Sequence, residues 1–190
     1  MNSSNIFVIS TMLCLSLVAC ADSGAPAPVS IAKLDNSYNA TLAEGIDFSQ
    51  KPGYPVFIKA VTGLSRYEKM GRWTEGKEVV FDFKQNLPPK FILNLDFTPA
   101  LGPNVGKTVQ IQVGDWMSAF IASDKPANVW LIVKSTIPTH SIKFVVPAPL
   151  SPAEIGTGED TRKIGLMFKH LSIVTDDPII TAPESESLAL

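Results

Sequence analysis

Apolar residues recur at every second position along most of this chain. Val79, Phe81 and Phe83 alternate with Val80, Asp82 and Lys84, and Phe91, Leu93, Leu95 and Phe97 alternate with Ile92, Asn94, Asp96 and Thr98. The same period runs through Val109, Ile111 and Val113, then Val129, Leu131 and Val133, then Ile142, Phe144 and Val146, then Ile164, Leu166 and Phe168. Neighbouring side chains on a strand point to opposite faces, so each run predicts a strand with one buried and one solvated face. The last run resumes as Leu171 and Ile173, and its change of parity across Lys169-His170 predicts a β-bulge. Gly114-Asp115 joins two runs directly, which is a two-residue hairpin signal. Pro88-Pro89, Gly102-Pro103, Pro126, Pro138 and the stretch from Pro147 to Gly158 punctuate the rest. Short strands at this spacing predict an all-β fold: one antiparallel β-sandwich of the jelly-roll or carbohydrate-binding-module kind. The one stretch with room for a short helix is Ala32 to Glu44, and no internal repeat is visible.

The N-terminus follows a different pattern. Ile6 to Val18 is a short apolar stretch, and Leu17-Val18-Ala19-Cys20 then reads as a bacterial lipobox. The stretch is short for a membrane span. The expectation is a lipoprotein signal peptide over 1–19 and a lipid on Cys20, although Met1 to Asn5 carries no Lys or Arg. Residues 20–30 are small and Pro-rich and are expected to form a flexible tether; 31–175 is the expected sandwich and 176–190 a disordered tail. Ala21 rather than Asp follows the cysteine, which favours the outer membrane slightly over the inner, with Asp22 one place further on.

The 190 residues leave about one domain's worth after such a signal, and the formal net charge of −2 gives no basic face for a nucleic acid. The two cysteines are Cys14 and Cys20, so the expected mature domain holds no disulfide and folds by packing alone. His140 and His170 have no second histidine at metal spacing, no Gly-x-Ser-x-Gly elbow is present, and Gly156-x-Gly158 lacks the Lys-Ser/Thr of a phosphate loop. No catalytic residue, metal or cofactor is expected. Glu68 and Asp160 are the one carboxylate pair to weigh for glycoside hydrolysis, which requires a set separation and an open cleft.

Polar residues crowd into two segments between strands, Gly63 to Thr74 and Gly156 to Gly165. The first contains Tyr67, Glu68, Arg72 and Trp73, the second Asp160 and Arg162. Two acids and two bases in complementary segments predict that the segments meet through Arg–carboxylate pairs. Two readings stay open. In one, the charged groups hydrogen-bond sugar hydroxyls while Trp73 covers the apolar side of a pyranose; in the other, they form an ion-pair network that ties the first strands to the last. Trp130 falls in the polar phase of its run, opposite in parity to Val129, Leu131 and Val133, so it is expected to face outward as a stacking platform or an interface anchor.

Several of these motifs also carry a resemblance. Tyr54-Pro55, Phe57-Ile58, Gly63-Leu64-Ser65, Glu68, Gly71-Arg72-Trp73, Gly102-Pro103-Asn104, Gly106-Lys107, Gly158, Asp160-Thr161-Arg162 and Ile164-Gly165 resemble the C-terminal accessory domain of bacterial membrane phosphoglycerol transferases that decorate periplasmic glucans. The resemblance spans roughly 45–175. It implies a cell-envelope glycan context for a stand-alone lipoprotein. It does not carry phosphoglycerol transfer over, because no counterpart of the transferase domain is seen here. The expected function is non-catalytic carbohydrate binding outside the cytoplasm, with candidate residues Glu68, Arg72, Trp73, Tyr67, Trp130, Asp160 and Arg162. The alternatives are a lipoprotein that docks on an envelope protein and, behind it, a glycan-active enzyme.

Overall fold

The computed structural model describes residues 37–98 and 102–175. The signal, tether, tail and lipid-site expectations, Cys20 included, lie outside the described residues. Among the described residues ten strands follow one another: β1 (Ile46–Asp47), β2 (Ile58–Thr62), β3 (Arg72–Glu75), β4 (Glu78–Phe83), β5 (Lys90–Thr98), β6 (Thr108–Val113), β7 (Trp116–Ile121), β8 (Ala127–Lys134), β9 (Ser141–Val145) and β10 (Ile164–Val174). One sheet has the order β1-β10-β5-β8, with β3 also on β10; the other has the order β2-β4-β9-β6-β7. Every strand pair in both sheets is antiparallel. The only helical element among the described residues is a short 3-10 turn at Gly102–Asn104. The predicted antiparallel sandwich is therefore the observed fold.

The alternation does what the sequence implies. The inward set Val79, Phe81, Phe91, Leu93, Leu95, Phe97, Val109, Ile111, Val113, Ile142, Phe144, Leu166, Phe168, Leu171 and Ile173 packs into one buried core between the sheets. Phe168 of the first sheet meets Phe81 and Phe144 of the second at ring separations of 6.2 and 5.2 Å, with Phe48 at 6.0 Å. Burial of such rings is the main favourable term holding the layers together. The predicted bulge is present: Phe168 pairs with Phe97 and His170 with Asp96, leaving Lys169 as the extra residue. The predicted hairpin is also present, with Val113 opposite Trp116 and Gly114 at φ +59°. That φ suits glycine alone here, and a Cβ would collide with Ser135 Oγ.

One local expectation is corrected. The described part of the Ala32 to Glu44 stretch forms no helix. Residues 41–44 make a single turn in which the Thr41 N–H donates to Glu44 Oε2 (2.7 Å) and the Glu44 N–H donates to Thr41 Oγ1 (3.1 Å). Gly45, at φ +73°, ends it, because the chain must turn at once into β1 beside Leu171.

Candidate functional site

The two polar segments do meet. Arg162 Nη1 donates to Glu68 Oε1 at 2.9 Å, while its Nε and Nη2 grip Asp160 at 3.0–3.1 and 2.6 Å. The loop that presents Asp160 is itself braced. The Ser151 N–H donates to Glu154 Oε2 (2.9 Å), the Glu154 N–H returns to Ser151 Oγ (3.2 Å), and the Ala153 N–H donates to the Asp160 carbonyl (3.0 Å). The Arg162 side chain and backbone N–H hold the Asp160 carboxyl down at about 2, and Asp160 in turn pushes the guanidinium up. An acid held ionised in this way has no proton to give near neutrality, so Asp160 is unsuited to general-acid work.

Arg72 does not join that cluster, contrary to the expectation of two acids facing two bases. On β3 it pairs opposite Phe168, whose ring is in the core, so strand parity turns Arg72 inward. It is buried, its Nη2 donates to the Pro52 carbonyl, and its guanidinium lies 4.6 Å from the centre of the Tyr54 ring. Its Nε has no partner among the described residues. Tyr67 is tied to the segment after β1. It is half-buried, and its hydroxyl donates to the Ser49 carbonyl at 3.0 Å. Trp73 is half-buried on the outer side of β3, opposite Met167, with its backbone tied to Ser65 by bonds of 2.8 and 3.1 Å.

Trp130 stands apart from this cluster, and by strand register it points to the same side of the first sheet as Trp73. It is 66% exposed on β8, pointing outward as its parity requires. Directly across the strand pair is Asn94 of β5, and beyond it Ser172 of β10. The next row is Asn128, Asp96, His170 and Asp47. Asn128 Nδ2 donates both to Asn94 Oδ1 (2.6 Å) and to Asp96 Oδ1, which fixes three polar side chains beside the indole. On the other side of Trp130, Ile132 is 60% and Val174 40% exposed. Asn94, Asp96 and Asn128 were not among the sequence candidates. Their outward phase was readable, but the register that sets Asn94 against Trp130 was not.

A separate pocket of about 310 Å³ opens beside β4, walled by Leu42, Val56, Phe57, Phe83 and Leu87. Phe57 and Phe83 stack there at 6.0 Å. Among the described residues no group of three or more His, Cys, Asp or Glu is placed to hold a metal ion, and no helix is long and apolar enough to cross a membrane.

Fold and face together define a β-sandwich with an exposed aromatic residue set among fixed amide and carboxylate groups. The chain belongs to the family described as "Domain of unknown function (DUF7024)", whose profile matches residues 31–175. It is 28% identical over 126 residues to phosphoglycerol transferase I of Salmonella paratyphi B, a match covering 64% of this chain and 16% of that protein. The Salmonella typhi and Salmonella typhimurium proteins of the same name match to the same extent. The chain thus aligns with about one sixth of the length of these relatives, as the resemblance to an accessory domain implied. Among solved structures, a mutant of CBM29-2, a family 29 carbohydrate binding module, superposes with TM-score 0.47 and 14% identity over 70% of this chain and 89% of that one. A further family 29 module gives 0.46 and 16% over 69% and 84%. The sandwich rests on the strand pairing above and not on these distant likenesses.

Proposed function

We propose that this protein is a non-catalytic carbohydrate-binding module of the bacterial cell envelope, held at a membrane by a lipid on Cys20. The observation that carries the reading is Trp130, 66% exposed and directly opposite Asn94, which Asn128 holds in one network with Asp96. An indole face covers the apolar side of a pyranose, and rigid amide and carboxylate groups beside it satisfy the ring hydroxyls. The relatives' name, phosphoglycerol transferase I, supports an envelope context for the ligand, but an alignment with so small a share of those proteins does not bring their activity with it. In this reading the Glu68–Arg162–Asp160 cluster is chiefly a brace that joins the β3 flank to the start of β10. Outer-membrane placement is the weaker part of the localisation and follows only from Ala21 after the cysteine.

The test is titration of the purified protein with periplasmic glucans and peptidoglycan fragments, followed by tryptophan fluorescence. A saturable response that Trp130→Ala abolishes, at unchanged melting temperature, is the expected result. A response that survives Trp130→Ala sinks the platform. Anchoring is tested separately: Cys20→Ser is expected to abolish palmitate labelling and move the protein from the membrane to the soluble fraction.

The docking alternative has one observation in its favour. Ile132 of the edge strand β8, 60% exposed, adjoins Trp130 on the same face, and Val174, 40% exposed, lies in the same row as Ile132. Such an apolar edge suits a protein partner. If Trp130→Ala removes retention on an envelope-protein complex and no glycan elicits a response, that alternative replaces the platform.

A further inference from the structure

The strands at the sheet edges are unequal. β1 has two residues, β3 four, β2 five and β7 six, whereas β8 has eight. A free edge is a template for another strand unless it is short, charged, broken by proline or covered. Ala127 to Lys134 holds no proline, its one charge is the terminal Lys134, and among the described residues no strand pairs with its outer side. The core is also open here. The inward Val129 and Leu131 are only half-buried, although Leu95 and Leu93 opposite them are 1% and 0% exposed. Just past the last pair, Lys90 with Lys134, the Ser135 N–H donates to the Pro89 carbonyl at 2.9 Å. Antiparallel pairs alternate between bonded and non-bonded, so Val129, Leu131 and Val133 direct their backbone groups at β5. Asn128, Trp130, Ile132 and Lys134 therefore present theirs to the open edge. We propose that this edge pairs antiparallel with β8 of a second copy of the chain, giving a two-fold dimer in which the two first sheets run on as one.

A second copy is the occupant because the strand is complementary to itself in one register. With Leu131 on the two-fold axis, the outward Trp130 and Ile132, 66% and 60% exposed, each lie opposite the other's counterpart. Aromatic against β-branched is a favourable cross-strand pair, and about eight main-chain hydrogen bonds form along the edge. Val129 then meets Val133 on the inward side, and Lys134 meets Asn128. Lys134 lies opposite Lys90 within its own chain, a like-charged pair. Asn128 donates its Nδ2 to Asn94 and Asp96, which turns its Oδ1, without a partner among the described residues, into an acceptor for the Lys134 ammonium, with the Asp96 carboxylate behind it. The other charges nearby do not oppose this. Lys169 and His170 lie on β10, one strand further in than Asp96; Asp115 at the Lys134 end already accepts from Ser135 and Thr136; and Asp124 and Lys125 before β8 offset each other. Neighbouring registers of the same parity fit less well. Trp130 on the axis sets Ile132 against Asn128, and Ile132 on the axis sets Lys134 against Trp130. The pairing leaves the outward side of the sheet uncovered, so the dimer and the glycan reading stand or fall separately.

Sedimentation of the purified full chain in a non-ionic detergent, followed over about a hundredfold range of concentration, tests this, with every variant carrying the same detergent load. The wild type is expected to pass from one chain to two as concentration rises. Ile132→Pro removes a donor that faces the open edge and not β5, so it is expected to stay monomeric throughout while still melting cooperatively. Ile132→Glu keeps that donor and is expected to weaken association at least about tenfold. Hydrogen exchange supplies the register: the amides of Trp130, Ile132 and Lys134 are expected to gain protection with concentration, while those of Val129, Leu131 and Val133 are protected at every concentration. A chain that stays monomeric throughout overturns the proposal and leaves the edge to the envelope-protein partner of the docking alternative. A dimer indifferent to both Ile132 variants, or one lost instead with Met117→Lys on the free edge strand β7, overturns it as well.

Discussion

Arg162 shows how one side chain can make a pair of distant segments behave as one. It reaches Glu68 at 2.9 Å and Asp160 at 2.6 Å from half-exposed positions, so its contribution is screened by solvent and depends on ionised partners. Arg162→Gln is expected to lower the melting temperature by a few degrees at neutral pH, and added salt should narrow the gap. Because Arg162 depresses the Asp160 pKa in the folded state, the stabilisation is complete above the ordinary carboxylate range and fades as pH falls toward about 2. Melting curves of wild type and variant should therefore converge in strong acid; a constant offset from neutral pH to acid would show that the guanidinium acts by packing and not by charge. The meeting of these segments was legible from complementary charge. The exclusion of Arg72 was not, because Arg72-Trp73-Thr74-Glu75 carries no apolar alternation from which to read which residue turns inward. Trp130 was legible because one apolar run fixed its phase. Its neighbours Asn94 and Asn128 depended on the β5–β8 register, which no local pattern encodes.

At the scale of the element, β10 is the strand on which the first sheet is organised. It pairs with β1, β3 and β5, and it changes parity at Lys169 without losing its inward set. With Lys169 removed, Phe168 would remain against Phe97 and His170 against Asp96, so the alternation into Leu171 and Ile173 is preserved. The loss is the 2.8 Å bond in which the Phe48 N–H donates to the Lys169 carbonyl, which holds the chain after β1. Deleting Lys169 is expected to give a folded protein with a lowered melting temperature. Deleting Ser172 instead turns Ile173 to the solvent face and Val174 into the core, and is expected to give no cooperative melt. Circular dichroism during heating separates the two, and a well-folded Ser172 deletion would contradict the register. Strong alternation made β4, β5, β6, β8, β9 and β10 readable before any coordinates. The two-residue β1 and the four-residue β3 are too short to show a period, and they form because β10 offers them an edge.

For the whole molecule, the first and last of the described strands are neighbours. Ile46 pairs with Leu171 and Asp47 with His170, so the first sheet cannot close until β10 is available. β10 also supplies Phe168 to the aromatic cluster that joins the sheets. Non-local pairing of this kind requires loop closure before the contacts that reward it, which places such sandwiches in the millisecond-to-second range of folding. Two results are expected together. A chain ending at Lys163 should show no cooperative unfolding in urea, because among the described residues β1 and β3 lose their only strand partner and β5 one of its two. Phe168→Ala in the full chain should still fold, but with stability reduced by about 3–5 kcal/mol, the range for emptying an aromatic side chain from a packed core. Chemical denaturation measures both, and stopped-flow refolding should give a main phase no faster than milliseconds. A cooperative transition in the shortened chain would show that the second sheet is stable alone, and the sandwich would then be two folding units instead of one. The face proposed to bind glycans belongs to the dependent sheet, so on that proposal losing β10 should abolish binding in either case.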